Sequence, residues 1–176
     1  MIGSFRIEPL SNIHDRSRFV SGSAPLDRYL REQASQDIKR RIARCFVVLS
    51  VEAEEVAGFY TLAAASVALD LLPRQMTKKL PRYPMIPAAL VGRLAVGRGY
   101  QGRGLGSALL ADALFRIMGA ELGIFALLVD AKDETAQRFY EHHGFTLLVG
   151  EGRRLCLPVA TALRQLERHI RIGGNT

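Results

Sequence analysis

Val91-Gly92-Arg93-Leu94-Ala95-Val96-Gly97-Arg98-Gly99-Tyr100-Gln101-Gly102-Arg103-Gly104-Leu105-Gly106-Ser107-Ala108-Leu109-Leu110 decides the fold. It reads as an apolar strand, a tight glycine-rich turn and an amphipathic helix. Gly99, Gly102, Gly104 and Gly106 strip side chains from the turn, leaving successive backbone N–H groups at a helix start free to surround an anion. Gly102-Arg103-Gly104-Leu105-Gly106-Ser107 fits neither the dinucleotide fingerprint G-x-G-x-x-G nor the P-loop G-x-x-x-x-G-K-[ST], and no Lys follows the last glycine. The turn therefore predicts a pyrophosphate cradle of another kind.

The rest of the chain bounds what that cradle serves. The sequence has 176 residues, 48% hydrophobic and 23% charged, which suits a single domain spanning 1–176 with a buried core. The last residues, 173–176, read as a flexible tail. No apolar run approaches the roughly 20 residues that span a bilayer, and the first residues lack a signal-peptide pattern, so a cytoplasmic protein without membrane contact is expected. Cys45 and Cys156 lie in apolar strand-like runs and read as buried free thiols. His14, His142, His143 and His169 show no ligand spacing, so no metal is expected.

Net charge is +7 and unevenly spread. Between Leu71 and Ala111 there is no Asp or Glu, whereas Arg74, Lys78, Lys79, Arg82, Arg93, Arg98 and Arg103 all fall there. A second basic group contains Arg28, Arg31, Lys39, Arg40, Arg41 and Arg44. Two positive poles suit a polyanion such as RNA; generic solubility with cosubstrate binding is the plainer alternative.

In chain order, Phe5 to Leu10 alternates as a first strand, and Ser23-Ala24-Pro25 opens a helix whose apolar face carries Leu26, Tyr29, Leu30, Ala34 and Ile38. Arg44 to Val51 and Val56 to Ala65 form a hairpin, with Gly58 marking a bulge or a close backbone approach. A helical stretch around Leu72 to Lys79 leads into a stiff connector holding Pro81, Pro84 and Pro87, then a strand from about Ala88 to Val96. After the long helix come a buried strand, Phe125 to Asp130, and a short helix, Glu134 to His143, capped by Asp133 and ended by Gly144. Strands at Phe145 to Val149 and Leu155 to Val159, then an amphipathic tail helix, complete an α/β pattern.

Gln101-x-x-Gly104-x-Gly106 resembles the acetyl-CoA signature of the GNAT N-acetyltransferases. Ala136-x-x-Phe139-Tyr140-x-x-x-Gly144-Phe145 resembles the segment after the fifth strand of the same family. The resemblance implies an α/β (α+β) fold with a central mixed, twisted sheet of about six to seven strands, splayed fourth and fifth strands, and helices on both faces. It implies that Leu94, Ala95 and Val96 hold the acetyl group and pantetheine, and that Gln101, Gly102, Arg103, Gly104, Leu105, Gly106 and Ser107 hold the pyrophosphate. Asp130 and Phe139 are expected to complete the acetyl-CoA site, with Phe139 packing inward, and Tyr140 to act as general acid toward the departing sulfur. No general base stands out; an α-amine, with pKa near 8, could dispense with one.

Nearly the whole chain further resembles the toxin subgroup of that superfamily, acetyltransferases of type II toxin–antitoxin pairs that acetylate the α-amine of aminoacyl-tRNA and block translation. The shared stretches include Leu26 to Asp37, Gly58 to Leu62, Leu80 to Pro87, Gly92 to Val96, Val129 to Lys132 and Arg154 to Pro158. Departures are Ser21-Gly22-Ser23 near the start, Gly97 where an acidic residue is usual, and a longer tail. What the resemblance implies is acetyl-CoA as cosubstrate, aminoacyl-tRNA as substrate, a ribbon-helix-helix antitoxin as partner and a homodimer as assembly. Arg28, Arg31, Arg74, Lys78, Arg82 and Arg93 are the expected tRNA contacts, although Arg93 reads equally as a cosubstrate-orienting or strand-bracing residue. An acetyltransferase for a small amine or protein N-terminus, and a binding regulator without turnover, remain open alternatives.

Overall fold

A computed structural model describes residues 4–173, and the side chains of 169–173 lie outside the described set. The chain forms two compact units, each discontinuous in sequence. One takes the residues up to Ala63 together with Val91–Phe115; the other takes Ala64–Leu90 and the residues from Arg116 onward.

The first unit holds β1 (Phe5–Pro9), β2 (Arg44–Ser50), most of β3 (Glu55–Ala68) and β5 (Leu94–Val96). β2 pairs antiparallel with β1 and β3, and β5 pairs antiparallel with β3 through Gly58↔Val96, Phe59↔Ala95 and Tyr60↔Leu94. The register of β2 on β3 slips between Val48 and Leu49, opposite Gly58. A Cβ at Gly58 would lie 2.9 Å from the Ala95 carbonyl oxygen and 3.0 Å from Val48 Cγ1, so the expected bulge and the expected close approach coincide at one residue.

The helix expected from Ala24 is there, but not uniform. α1 (Ala24–Arg28) and α2 (Ala34–Lys39) flank a π-helical turn at Tyr29–Gln33. Tyr29, Leu30 and Ala34 are buried from this segment and pack with Phe19, Cys45, Val47 and Phe59. Buried Asp37 is satisfied by the Tyr29 hydroxyl at 2.8 Å and Gln33 Nε2 at 3.1 Å. At the helix start Ser23 makes no side-chain cap, and Asp27 turns inward to accept from Ser21 N–H and Oγ at 2.9 and 2.5 Å.

The strand expected from Ala88 to Val96 breaks in two. β4 (Met85–Val91) ends at Gly92, and Thr61 claims both main-chain groups of Arg93: its N–H donates to the Arg93 carbonyl at 3.0 Å, and its Oγ1 accepts from the Arg93 N–H at 3.1 Å. These bonds turn β5 onto β3 and raise the strand count to eight, above the six or seven expected.

The second unit carries the far end of β3, then β4, β6 (Ala126–Asp130), β8 (Arg154–Pro158) and β7 (Thr146–Leu147) in that order. Its core joins Val67, Leu72, Ile86, Ala88, Ala126, Leu128, Leu148 and Cys156. The helical stretch expected at Leu72 to Lys79 shortens to α3 (Arg74–Thr77), preceded by a 3₁₀ turn at Leu69–Leu71. The strand expected at Phe145 to Val149 shrinks to the two residues of β7. α4 (Leu105–Met118), α5 (Glu134–His142) and α6 (Val159–Gly173) are the longer helices. The flexible tail expected at 173–176 lies outside the described residues except for Gly173, which ends α6.

Candidate active site

The glycine-rich turn is pinned from behind and open in front. A 3₁₀ turn at Arg98–Tyr100 is anchored by the Gly97 N–H to Ala57 O and the Arg98 N–H to Val20 O, both at 2.8 Å. Tyr100 packs edge-on against Phe5 and donates its hydroxyl to Glu55. Gln101 turns its side chain into the protein: Nε2 donates to the carbonyls of Ser21 at 2.9 Å and Val96 at 3.0 Å. Gln101 therefore fixes the turn to the end of β5.

In front, Gly99, Gly102 and Gly104 have nothing within 4 Å of where a Cβ would stand, and Gly102 and Gly104 both hold φ +78. Side chains at these positions would fill the space over the helix start, and two of them would be strained. The first helical bond runs from Ala108 N–H to Gly104 O at 3.1 Å, so the amides of Leu105 and Gly106 precede any partner within the helix. Arg103, exposed, sits 5.4 Å from the Tyr100 ring centroid and adds positive charge. This donor set fits a pyrophosphate. Among the described residues β5 has β3 as its one strand partner, which leaves its other edge available to an extended ligand.

In the second unit, Asp133 caps α5 by accepting from Ala136 N–H at 2.8 Å. Tyr140 is 4% exposed, packed edge-on to Phe139 and Phe145 at 5.2 and 5.7 Å between centroids. The ring expected to pack inward, Phe139, is the less buried of the pair and lies 4.5 Å from the His143 ring. This reverses the expectation, because the inward position of α5 falls on Tyr140, which packs with Phe145 beyond the helix end. No protein group among the described residues hydrogen-bonds the Tyr140 hydroxyl. Every described side-chain polar atom sealed from solvent has a partner, so that oxygen is reachable from outside. Burial, with the Asp130 carboxylate adding to it, pushes the phenol above its ordinary range.

Asp130 is otherwise engaged. Arg154 Nε and Nη2 hold its two oxygens at 2.8 and 3.0 Å, so its carboxylate is a structural partner across β6 and β8. Of the basic residues, Arg31 donates to Phe19 O at 2.8 Å, while Arg28, Arg74, Lys78 and Arg82 are exposed. Arg93 lays its guanidinium on Tyr29, 3.7 Å from the ring centroid, beside a cavity of about 300 Å³ that Arg28 and Glu32 also line. Sequence reasoning missed the bracing roles of Thr61 and Arg154; neither carries a local signal. Cys45 and Cys156 are buried free thiols, each pushed up to about 12 by burial.

The family model for the acetyltransferase (GNAT) domain matches residues 41–147. A tRNA-acetylating toxin of Mycobacterium tuberculosis is 40% identical over 140 residues, 78% of this chain and 82% of that protein. The solved structure of AtaT complexed with acetyl-methionyl-tRNAfMet superposes with a TM-score of 0.85 at 31% identity, covering 92% of this chain and 99% of that one. A mutant AtaT toxin bound to the C-terminus of the antitoxin AtaR and acetyl-CoA gives a TM-score of 0.76 at 29% identity, covering 90% and 95%.

Proposed function

Because the chain belongs to the GNAT acetyltransferase family, we propose that it is a toxin that transfers acetyl from acetyl-CoA to the α-amine of aminoacyl-tRNA and so blocks translation. The family model runs through both units, which supports reading them as one acetyltransferase domain. The observation that carries the chemistry is Tyr140: a side chain buried on all but its hydroxyl, which has no protein partner among the described residues.

The backbone amides at the start of α4 and the Arg103 charge bind the pyrophosphate of acetyl-CoA, and the free edge of β5 at Leu94, Ala95 and Val96 takes its pantetheine and acetyl group as a surrogate strand. The amine nitrogen attacks the thioester carbonyl carbon, the carbon–sulfur bond breaks, and one proton passes from nitrogen to sulfur. Tyr140 gives its hydroxyl proton to the departing sulfur and recovers one from the proton the amine releases. Its raised pKa keeps it protonated across the neutral range.

Arg28, Arg74, Lys78 and Arg82 supply exposed positive charge for the RNA backbone. Arg31 and Arg93 contribute less, because each is held by a partner in the fold. An antitoxin is the expected neutralising partner, as in the AtaT complex with AtaR. No helix among the described residues is long and apolar enough to cross a membrane; a charged-tRNA substrate supports a cytoplasmic location.

Incubation with labelled acetyl-CoA and total charged tRNA tests the reading. Label should enter RNA in a form released by cleaving the aminoacyl ester, and Tyr140→Phe should bind acetyl-CoA yet lose most transfer. Label on protein or small amines alone would overturn the substrate; an undiminished Tyr140→Phe would overturn the acid.

A further inference from the structure

A cavity of about 960 Å³ lies wholly within the second unit, between α3 and the proline-rich connector. Arg74 opens α3, Lys78 caps its C-terminus, and Arg82 follows. All three are exposed, and none is ion-paired among the described residues. Next to them Tyr83 is 64% exposed and Met85 50% exposed, an unusual investment of apolar surface amid positive charge. The Tyr83 ring has no aromatic or hydrogen-bonding partner among the described residues. Asp70 is the one carboxylate on the rim.

The platform is stiff. Pro81 and Pro84 flank Tyr83, and the Leu69 N–H donates to the Pro84 carbonyl at 3.0 Å, tying the connector to the 3₁₀ turn. A ring carried on a stiff backbone leaves less main-chain entropy to lose when something lies on it.

We propose that this groove receives an unpaired nucleotide of the substrate RNA's single-stranded 3′ end, stacked on Tyr83, with Arg74, Lys78 and Arg82 on the flanking phosphates. The proposal rests on the aminoacyl-tRNA reading and names the part of that substrate the groove reads. Bases inside a duplex already have both faces covered, so a ring on a groove wall finds its stacking face on an unpaired nucleotide at the strand end. Three cations against one carboxylate select a polyanion, and the flat exposed ring distinguishes a nucleic acid strand from an acidic peptide. Stacking accepts any base, so the contact adds affinity without dictating which tRNA is used.

The test uses the full chain and two RNA probes: a hairpin with an unpaired 3′ overhang carrying 2-aminopurine, and the same hairpin ending blunt. The overhang should bind more tightly than the blunt form and its fluorescence should be quenched. Tyr83→Ala should weaken overhang binding about 5- to 100-fold and abolish the quench, while Tyr83→Phe keeps both. Arg82→Ala should weaken both probes and flatten the salt dependence. Tyr83→Ala binding as wild type, Tyr83→Phe as weak as Tyr83→Ala, or equal affinity for blunt and overhanging probes overturns the proposal. So does an acidic peptide that binds in a Tyr83-dependent way where RNA does not. Acetyl transfer to charged tRNA is measured alongside: its absence, with Tyr83-dependent RNA binding intact, counts against the acetylation reading and supports the groove.

Discussion

The guanidinium of Arg93 lies 3.7 Å from the centroid of the Tyr29 ring, and that ring stacks in turn on Phe59. The contact joins the second residue past β4 to the first helical segment within one unit. It gives Arg93 a structural role of its own. The residue braces, because its side chain covers an aromatic face while its main chain is bound to Thr61.

Arg93→Ala should therefore lower stability in urea unfolding by roughly 0.5–2 kcal/mol, the range for a partly desolvated cation–π contact. Arg93→Lys should recover part of that, since a compact ammonium covers less of the ring. Unchanged unfolding midpoints for Arg93→Ala would refute the bracing role.

Gly104→Ala and Gly99→Ala separate strain from occupancy in the pyrophosphate turn. Gly104 holds a left-handed φ, so Ala there should cost roughly 1–2 kcal/mol and weaken acetyl-CoA binding. Gly99 has open space around it and no such φ, so Ala should leave stability within about 0.5 kcal/mol while still crowding the ligand. Calorimetric titration with acetyl-CoA on both variants decides; full affinity in Gly99→Ala would show that the cradle does not use that space.

The pH dependence of transfer follows from the direction in which Tyr140 is shifted. An acid works while protonated, so a phenol pushed above its ordinary value near 10 keeps working further into alkali. The amine works while neutral, so the rate should fall as pH drops through its pKa near 8. kcat/KM should rise from pH 6 to 9 with no descending limb below about pH 10. Tyr140→Phe should lose about 10²- to 10⁴-fold at every pH and keep the acid limb. A descending limb centred near pH 8 that vanishes in Tyr140→Phe would contradict the assignment.

Cys45 and Cys156, buried and pushed up to about 12, should ignore thiol reagents in the native state at pH 8. Ellman titration should count no reactive thiol before denaturation and both afterward. A fast-reacting thiol in the folded protein would show that one of these strands opens locally.

The features legible in the sequence were those settled by neighbours along the chain. The turn at Gly99 to Gly106 and the Asp133 cap are each decided within a few residues, and Gly58 stood out as a glycine inside a strand although the groups that crowd it, Ala95 and Val48, lie further off. What escaped depends on groups distant in sequence. Thr61 breaks the expected strand at Gly92–Arg93 from 32 residues away, and Arg154 occupies Asp130 from 24 residues away. The motif likewise marked Gln101 for the ligand, but its amide instead ties the turn to Ser21, 80 residues earlier, as well as to Val96. For Phe139 and Tyr140 the residue types were read correctly but the inward stripe of α5 was taken one position too early. Asp37, buried through contacts with Tyr29 and Gln33, gave no warning because the expected helix had no wide turn.

That wide turn at Tyr29–Gln33 gives the first helical segment a phase shift. Residues before it and after it belong to two helical registers, and the mismatch lets the Tyr29 hydroxyl meet Asp37 while its ring lies beneath Arg93. Deleting a single residue there would restore α-helical spacing and remove the offset that brings Tyr29 and Asp37 together. The segment is thus intolerant of length change, and two of its exposed side chains, Arg31 and Gln33, are tied to Phe19 and Asp37.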